Sequence, residues 1–256
     1  MTDVMAVPAG PDAYRGHMVR LTDSQTGKSE PVTTSIGRRV RVAYPSRSLR
    51  AAILADTFRR VADRHRLTVT IHQLPYRAQI ADPAGYGRYN MPVPGTGQPD
   101  GAIDLYIGES GDQGPKARVH VLHPAALIEA APRRPVPHPR DPLALRLLLL
   151  SLTADEPLRA DPKGYYGAAE AERTLTELRA RTAECAESPS RALPGEAVAP
   201  IHAALDDGLD TPTALRLVVE LARDQGLAPG ARFEALAYLD RFLALDLSRD
   251  VGRPTD

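Results

Sequence analysis

Between residues 39 and 74 a strand pattern, a helix pattern and a second strand pattern follow one another almost without interruption, and few folds accept that order. Val40, Val42 and Tyr44 alternate with Arg39, Arg41 and Ala43, the two-residue period of a half-buried strand. Leu49, Ile53, Phe58, Val61 and Ala62 then line one broad helix face, leaving Arg59, Arg60, Asp63 and Arg64 largely outside. Residues 67–74 are rich in β-branched side chains and read as the second strand. A strand–helix–strand unit of this kind closes with parallel strands and a right-handed crossover. Two more strands are expected at residues 102–107 and 117–122. The Pro/Gly/Tyr-rich stretch 76–101, between the second and third of these strands, is long for a loop, a length associated with mobility or partner contacts.

Past residue 141 the pattern changes to helices. Asp141-Pro142 supplies a cap and a first-position proline, and the leucines behind it are dense enough to be buried on several sides. Further helices are expected at 170–182, at 200–205, from Asp210-Thr211-Pro212 onward, and at 232–245. Five prolines within 131–142 mark a linker. The expected organisation is a reduced Rossmann-like parallel-sheet domain at 1–130, the linker at 131–142 and a helical bundle at 143–256, an α/β fold class overall.

With 32 basic and 32 acidic residues the net charge is zero, so no general attraction to nucleic acid is expected, although a local basic face is compatible with that balance. No apolar run approaches ~18 residues, the length of a membrane span. The first residues have Asp3 and no apolar stretch, unlike a signal peptide, so a cytoplasmic location is expected. Cys185 is the single cysteine, which rules out an intrachain disulfide and a multi-cysteine zinc site. Glu184 and Glu187 flank it and disfavour a thiolate, so its expected role is structural.

Two helical segments carry a resemblance. Residues 141–151 read D-P-L-A-L-R-L-L-L-L-S, with Pro157-Leu158 downstream, and residues 203–215 read A-A-L-D-D-G-L-D-T-P-T-A-L. They resemble the "D-P-x-A-L-R-x-x-L-L-S" and "A-M-D-D-D-x-N-T-P-x-A-L" segments of cysteinyl-tRNA synthetases, class I enzymes. Earlier in the chain Met18-Val19-Arg20-Leu21-Thr22-Asp23 and Thr26-Gly27-Lys28-Ser29-Glu30-Pro31 resemble the family's opening. Asp56-Thr57-Phe58-Arg59-Arg60 looks like its first Rossmann helix, Ala102-Ile103-Asp104-Leu105 like "G-I-D-L", and His123 matches the histidine of "W-x-H".

The resemblance implies adenylate chemistry and also shows what that chemistry lacks here. Class I synthetases stabilise charge on phosphate oxygens with a His-x-Gly-His turn and a Lys-Met-Ser-Lys-Ser loop. The first falls on Pro45-Ser46-Arg47-Ser48, without histidine or glycine. The second falls between His123 and Asp141, where no lysine occurs. The family's zinc site falls on residues 108–113, without thiolate or imidazole, so no zinc is expected. No motif supports ATP. Ser46, Arg47 and Ser48 at a helix start remain a candidate anion or nucleotide site, joined by Glu109 and Asp112. The spacing of Gly108, Gly111 and Gly114 looks like a nucleotide loop, but neither a helix pattern nor a P-loop lysine follows. His120 and His123 stand three apart on a strand, on opposite faces, which disfavours a metal site.

Three functions are compatible with this. The leading expectation is a non-catalytic synthetase-like protein with no cofactor, binding tRNA, a true synthetase or a biosynthetic enzyme. The second is a divergent ATP-dependent ligase with a pocket rebuilt around Ser46, Arg47, Glu109 and Asp112. The third is a structural or dimerisation module, a homo-oligomer with an apolar patch on the bundle. None involves a membrane.

Overall fold

The computed structural model describes residues 19–32, 39–75, 83–112, 114–128 and 136–253. The linker residues 131–135, with Arg133 and Arg134, and the start of the predicted loop, 76–82, lie outside them. The fold is α/β: a five-stranded parallel sheet flanked by helices, followed by a helical region.

A short hairpin comes first, β1 (Arg20–Thr22) with β2 (Ser29–Pro31). The main sheet contains β3 (Arg39–Pro45), β4 (Thr68–Leu74), β5 (Gly95–Thr96), β6 (Ile103–Glu109) and β7 (Ala117–His123). Helix α1 (Leu49–Arg64) joins β3 to β4. The spatial order is β5-β4-β3-β6-β7, with every pair parallel. Counted along the chain this is the doubly wound order 3-2-1-4-5, whose switch point lies between β3 and β6.

Two details differ from the sequence pattern. The loop predicted at 76–101 contains a 3-10 helix, Pro83–Tyr89, and the edge strand β5. A two-residue strand has no period to detect. In β3, Ala43 is as buried as Val42, although it falls on the side expected to face solvent. The strand is central, and a central parallel strand is covered on both faces.

The crossover from β6 to β7 is short and has no helix among its described residues. It is laid against Tyr106: a Cβ on Gly108 would come within 2.5 Å of that ring, and one on Gly114 within 2.7 Å. The two glycines therefore serve close packing, which explains their spacing without a nucleotide. The β1–β2 hairpin protects the β7 edge, with Ser24 donating its N–H to the His120 carbonyl at 2.7 Å.

After a small sheet of β8 (Leu127–Ile128), β9 (Arg159–Asp161) and β10 (Gly164–Tyr165), with α2 (Pro142–Ser151) between β8 and β9, come α3 (Ala168–Ala186), α4 (Gly195–Asp206), α5 (Thr211–Arg223) and α6 (Pro229–Leu243). Asp141 caps α2 by accepting from the Leu143 N–H at 2.9 Å, and Asp210 caps α5 through the Thr213 N–H at 3.1 Å. Helix α4 starts before Pro200, earlier than the prolines suggest, because Val198, Ile201 and Leu205 all enter the core.

One hydrophobic core runs from Val40, Phe58 and Leu105 of the sheet half to Leu145, Leu175 and Leu236 of the helical half. At the joint, Arg146 of α2 is fully buried and donates to Asp56 of α1 at 2.9 Å, to the Leu243 carbonyl at 2.6 Å and to the Tyr89 carbonyl at 2.9 Å. Nearby, Asp206 of α4 accepts from Arg64 and lies 2.8 Å from His65, at the end of α1. Cys185 is buried in α3, and burial is the main reason its thiol pKa is raised. No helix among the described residues is long and apolar enough to cross a membrane.

Candidate functional site

Open α/β sheets take ligands at the carboxyl ends of their strands, at the switch point. Here that place is the head of α1. Strand β3 ends at Pro45, and the Ser46 N–H continues its ladder by donating to the Leu74 carbonyl at 3.0 Å. Ser48 turns the chain into the helix, its hydroxyl accepting from the Ala51 N–H at 3.3 Å. Ser46, Arg47, Ser48, Glu109 and Asp112, widely separated in sequence, meet around this turn.

Arg47 is held by both carboxylates. Its guanidinium lies 3.3 Å from Glu109 and donates to Asp112. Asp112 in turn accepts from the Glu109 N–H at 3.2 Å and faces the Tyr106 hydroxyl at 3.5 Å. Burial, and then the Asp112 carboxylate, push the Tyr106 phenol pKa well above its ordinary range. Two carboxylates around one guanidinium leave the cluster one negative charge in excess.

On the other side Ser48 meets His123, at the end of β7. The hydroxyl is 3.4 Å from Nε2, and Nδ1 is 3.0 Å from the Pro124 carbonyl. A carbonyl can only accept, so Nδ1 carries the proton and Nε2 accepts from Ser48. Burial pushes the His123 pKa down to about 4, and the neighbouring Arg50 charge adds to the shift. This contact joins residues 75 positions apart, and no local sequence signal announces it.

Beyond His123 opens a cavity of about 410 Å³, between the β6–β7 side of the sheet, α1, the end of α2 and the α4–α5 turn. Leu54, Ile107 and Val121 form its apolar wall, and Arg50 lies under its rim. Sequence reasoning missed both the cavity and Arg50, because the carbonyls that hold Arg50, those of Leu152, Thr153 and Glu156, lie more than 100 positions away.

The residues that would replace the family's zinc ligands do not fit that metal. Glu109 and Asp112 are engaged by Arg47, and Gly108 and Gly111 offer no side-chain donor. Among the described residues no three His, Cys, Asp or Glu side chains gather as a metal site. No model of a known protein family matches this chain, and no curated protein matches it. What the fold and the site define is a class: a doubly wound α/β protein with a self-paired charge cluster at its switch point.

Proposed function

We propose that this protein works by binding, as a non-catalytic relative of cysteinyl-tRNA synthetases, and does not form an aminoacyl adenylate. The observation that carries this reading is the pairing of Arg47 with Glu109 and Asp112. Adenylate formation needs positive charge converging on phosphate oxygens at the head of α1. Among the described residues, the Arg47 guanidinium in that turn is already matched by two carboxylates, and Arg50 beside it is turned to the carbonyls at the end of α2.

Among partners, an RNA is favoured by a groove between α1 and α6. Arg59, Arg60, Arg64 and Arg241 line it with Asp63, Tyr238 and Phe242. Arg241 stacks 5.9 Å from the Tyr238 ring centre, and Arg59 and Arg60 share the Asp56 carboxylate with Arg146. A chain of zero net charge thus concentrates four guanidiniums along one groove. Two assays test the reading. The purified protein should give no amino-acid-dependent ATP–pyrophosphate exchange, and measurable exchange would overturn it. Total tRNA should bind with an affinity that falls steeply with salt, and an Arg59→Ala, Arg241→Ala double variant should bind it about tenfold more weakly.

The divergent-ligase reading has one observation in its favour, the Ser48–His123 contact beside three charged side chains. Calorimetry with ATP separates the two: heat of binding that disappears in Arg47→Gln supports the ligase.

A further inference from the structure

The cavity beside His123 is lined by a buried arginine, Arg50, whose contacts with the scaffold satisfy it only in part. Arg50 is only 6% exposed, yet the carboxylate whose charge acts on it, that of Glu156, is itself exposed and makes no ion pair with it among the described residues. It donates to backbone carbonyls alone: Glu156 at 2.6 Å, Thr153 at 2.7 Å and Leu152 at 3.2 Å. These take three of the five N–H groups of a guanidinium, and the buried Nε has no hydrogen-bond partner. A buried cation whose nearest acting carboxylate is exposed is costly, and burial lowers its pKa to about 10 against the opposing Glu156 charge. Replacing it with a neutral side chain would remove that cost, so keeping the charge calls for an explanation.

The surroundings suggest one. Below Arg50 the walls are apolar, formed by Leu54, Ile107 and Val121. Across the mouth stands the N-terminus of α5, a 13-residue helix, with Thr211 and Thr213 among the lining residues. The Thr213 hydroxyl has no partner among the described residues. His123 is neutral above pH 4, as its buried position dictates, and adds no charge. The remaining ionisable group, Asp210, is exposed at the rim, where it caps α5 and is solvated. The buried side of the mouth is therefore positive and the interior is oily.

We infer that this cavity binds a small, largely apolar carboxylic acid, its carboxylate against Arg50 and its hydrocarbon against Leu54, Ile107 and Val121. The volume suits a compact ligand, since pockets for small molecules begin at roughly 300 Å³. The acid would supply the charge that Arg50 lacks and the apolar atoms that the walls lack. The inference goes beyond the binding function proposed above and does not depend on it, because tRNA binding and pyrophosphate exchange involve neither Arg50 nor this wall.

Calorimetry and thermal shift with octanoate, octanol and octylamine test it. Octanoate should bind about tenfold to a hundredfold more tightly than octanol, the range expected of a charge-assisted hydrogen bond. Octylamine should bind most weakly. Arg50→Met should erase the preference for the acid over the alcohol. Because Arg50 also ties α1 to the end of α2, a second variant guards against simple unfolding: Thr213→Trp fills the mouth while leaving the Asp210 backbone cap intact. It should retain the melting temperature and lose octanoate binding. Equal binding of acid and alcohol, preference for the amine, no octanoate binding at millimolar concentration, or undiminished binding in Thr213→Trp would each overturn the inference.

Discussion

The two ends of α1 use the same kinds of side chain for opposite purposes. At the far end Asp56 collects Arg59, Arg60 and Arg146, while Asp206 collects Arg64 and His65. Every partner comes from α1 or from a helix packed on it, and Arg146 spends its remaining donors on buried carbonyls. At the head of the helix Arg47 is outnumbered by carboxylates, while Arg50 donates to carbonyls and feels only the charge of the exposed Glu156. Matched charges at a joint between elements are what a scaffold needs. Unmatched ones beside a cavity are what a ligand can use. The comparison separates a cavity with a buried cation at the head of α1 from the matched ties at its foot, whose outer side forms the arginine groove proposed for RNA.

Removing Asp56 should have the largest effect. Asp56→Ala would leave the Arg146 guanidinium buried without its anion, which costs about 3–5 kcal/mol. Equilibrium urea unfolding measures this directly. A loss under about 1 kcal/mol would mean that the Leu243 and Tyr89 carbonyls alone satisfy Arg146, and the foot would no longer differ from the head.

Acid should act at both ends through histidines. His123 at the head and His202 near the foot both have pKa values of about 4, chiefly through burial. The unfolded chain takes up these protons near pH 6.5 and the folded chain only near pH 4, so stability is complete above pH 6.5 and falls as pH drops toward 4. For His123 the full loss is at most about 3 kcal/mol. His202 is less buried and should contribute less. Measured unfolding free energies should rise between pH 4 and 6.5, and His123→Leu should flatten that rise more than His202→Phe does.

This contrast also explains what the sequence could reveal. Asp56, Arg146, Asp141, Asp206 and Thr211 all lie in the segments that resemble synthetases, and all are ties within the scaffold. Arg146 meets Asp56, Asp141 caps α2 and receives Arg179, and the Thr211 hydroxyl donates to the Leu150 carbonyl at 2.7 Å. Patterns that carry a fold are visible because helix caps and apolar periods are local. The Arg47 cluster was legible in part, since a serine-rich helix start and a strand end each show locally. The pairing that neutralises Arg47, the Ser48–His123 contact and the cavity were not, because each joins strand ends brought together only by the sheet order. The edge strand β5 was too short to give a pattern.

The smallest expected effect sharpens the comparison most. Arg47 is an ion-paired arginine like those at the foot, but unlike the fully buried Arg146 its side chain is 23% exposed, and its partners lie at the end of β6 and in the short crossover after it. Glu109 and Asp112 are 14% and 11% exposed, so water reaches them in part when the guanidinium is gone, and the pair lies between a surface salt bridge and a buried one. Arg47→Gln should therefore cost about 1–2 kcal/mol in urea unfolding, less than Asp56→Ala. It should also leave the pH dependence set by His123 in place, since Ser48 and the Pro124 carbonyl hold that ring independently of Arg47. A cost of several kcal/mol would make Arg47 a structural tie of the same kind as Arg146. The head of α1 would then be scaffold on its strand side, and its ligand-facing part would shrink to Arg50 and the cavity wall.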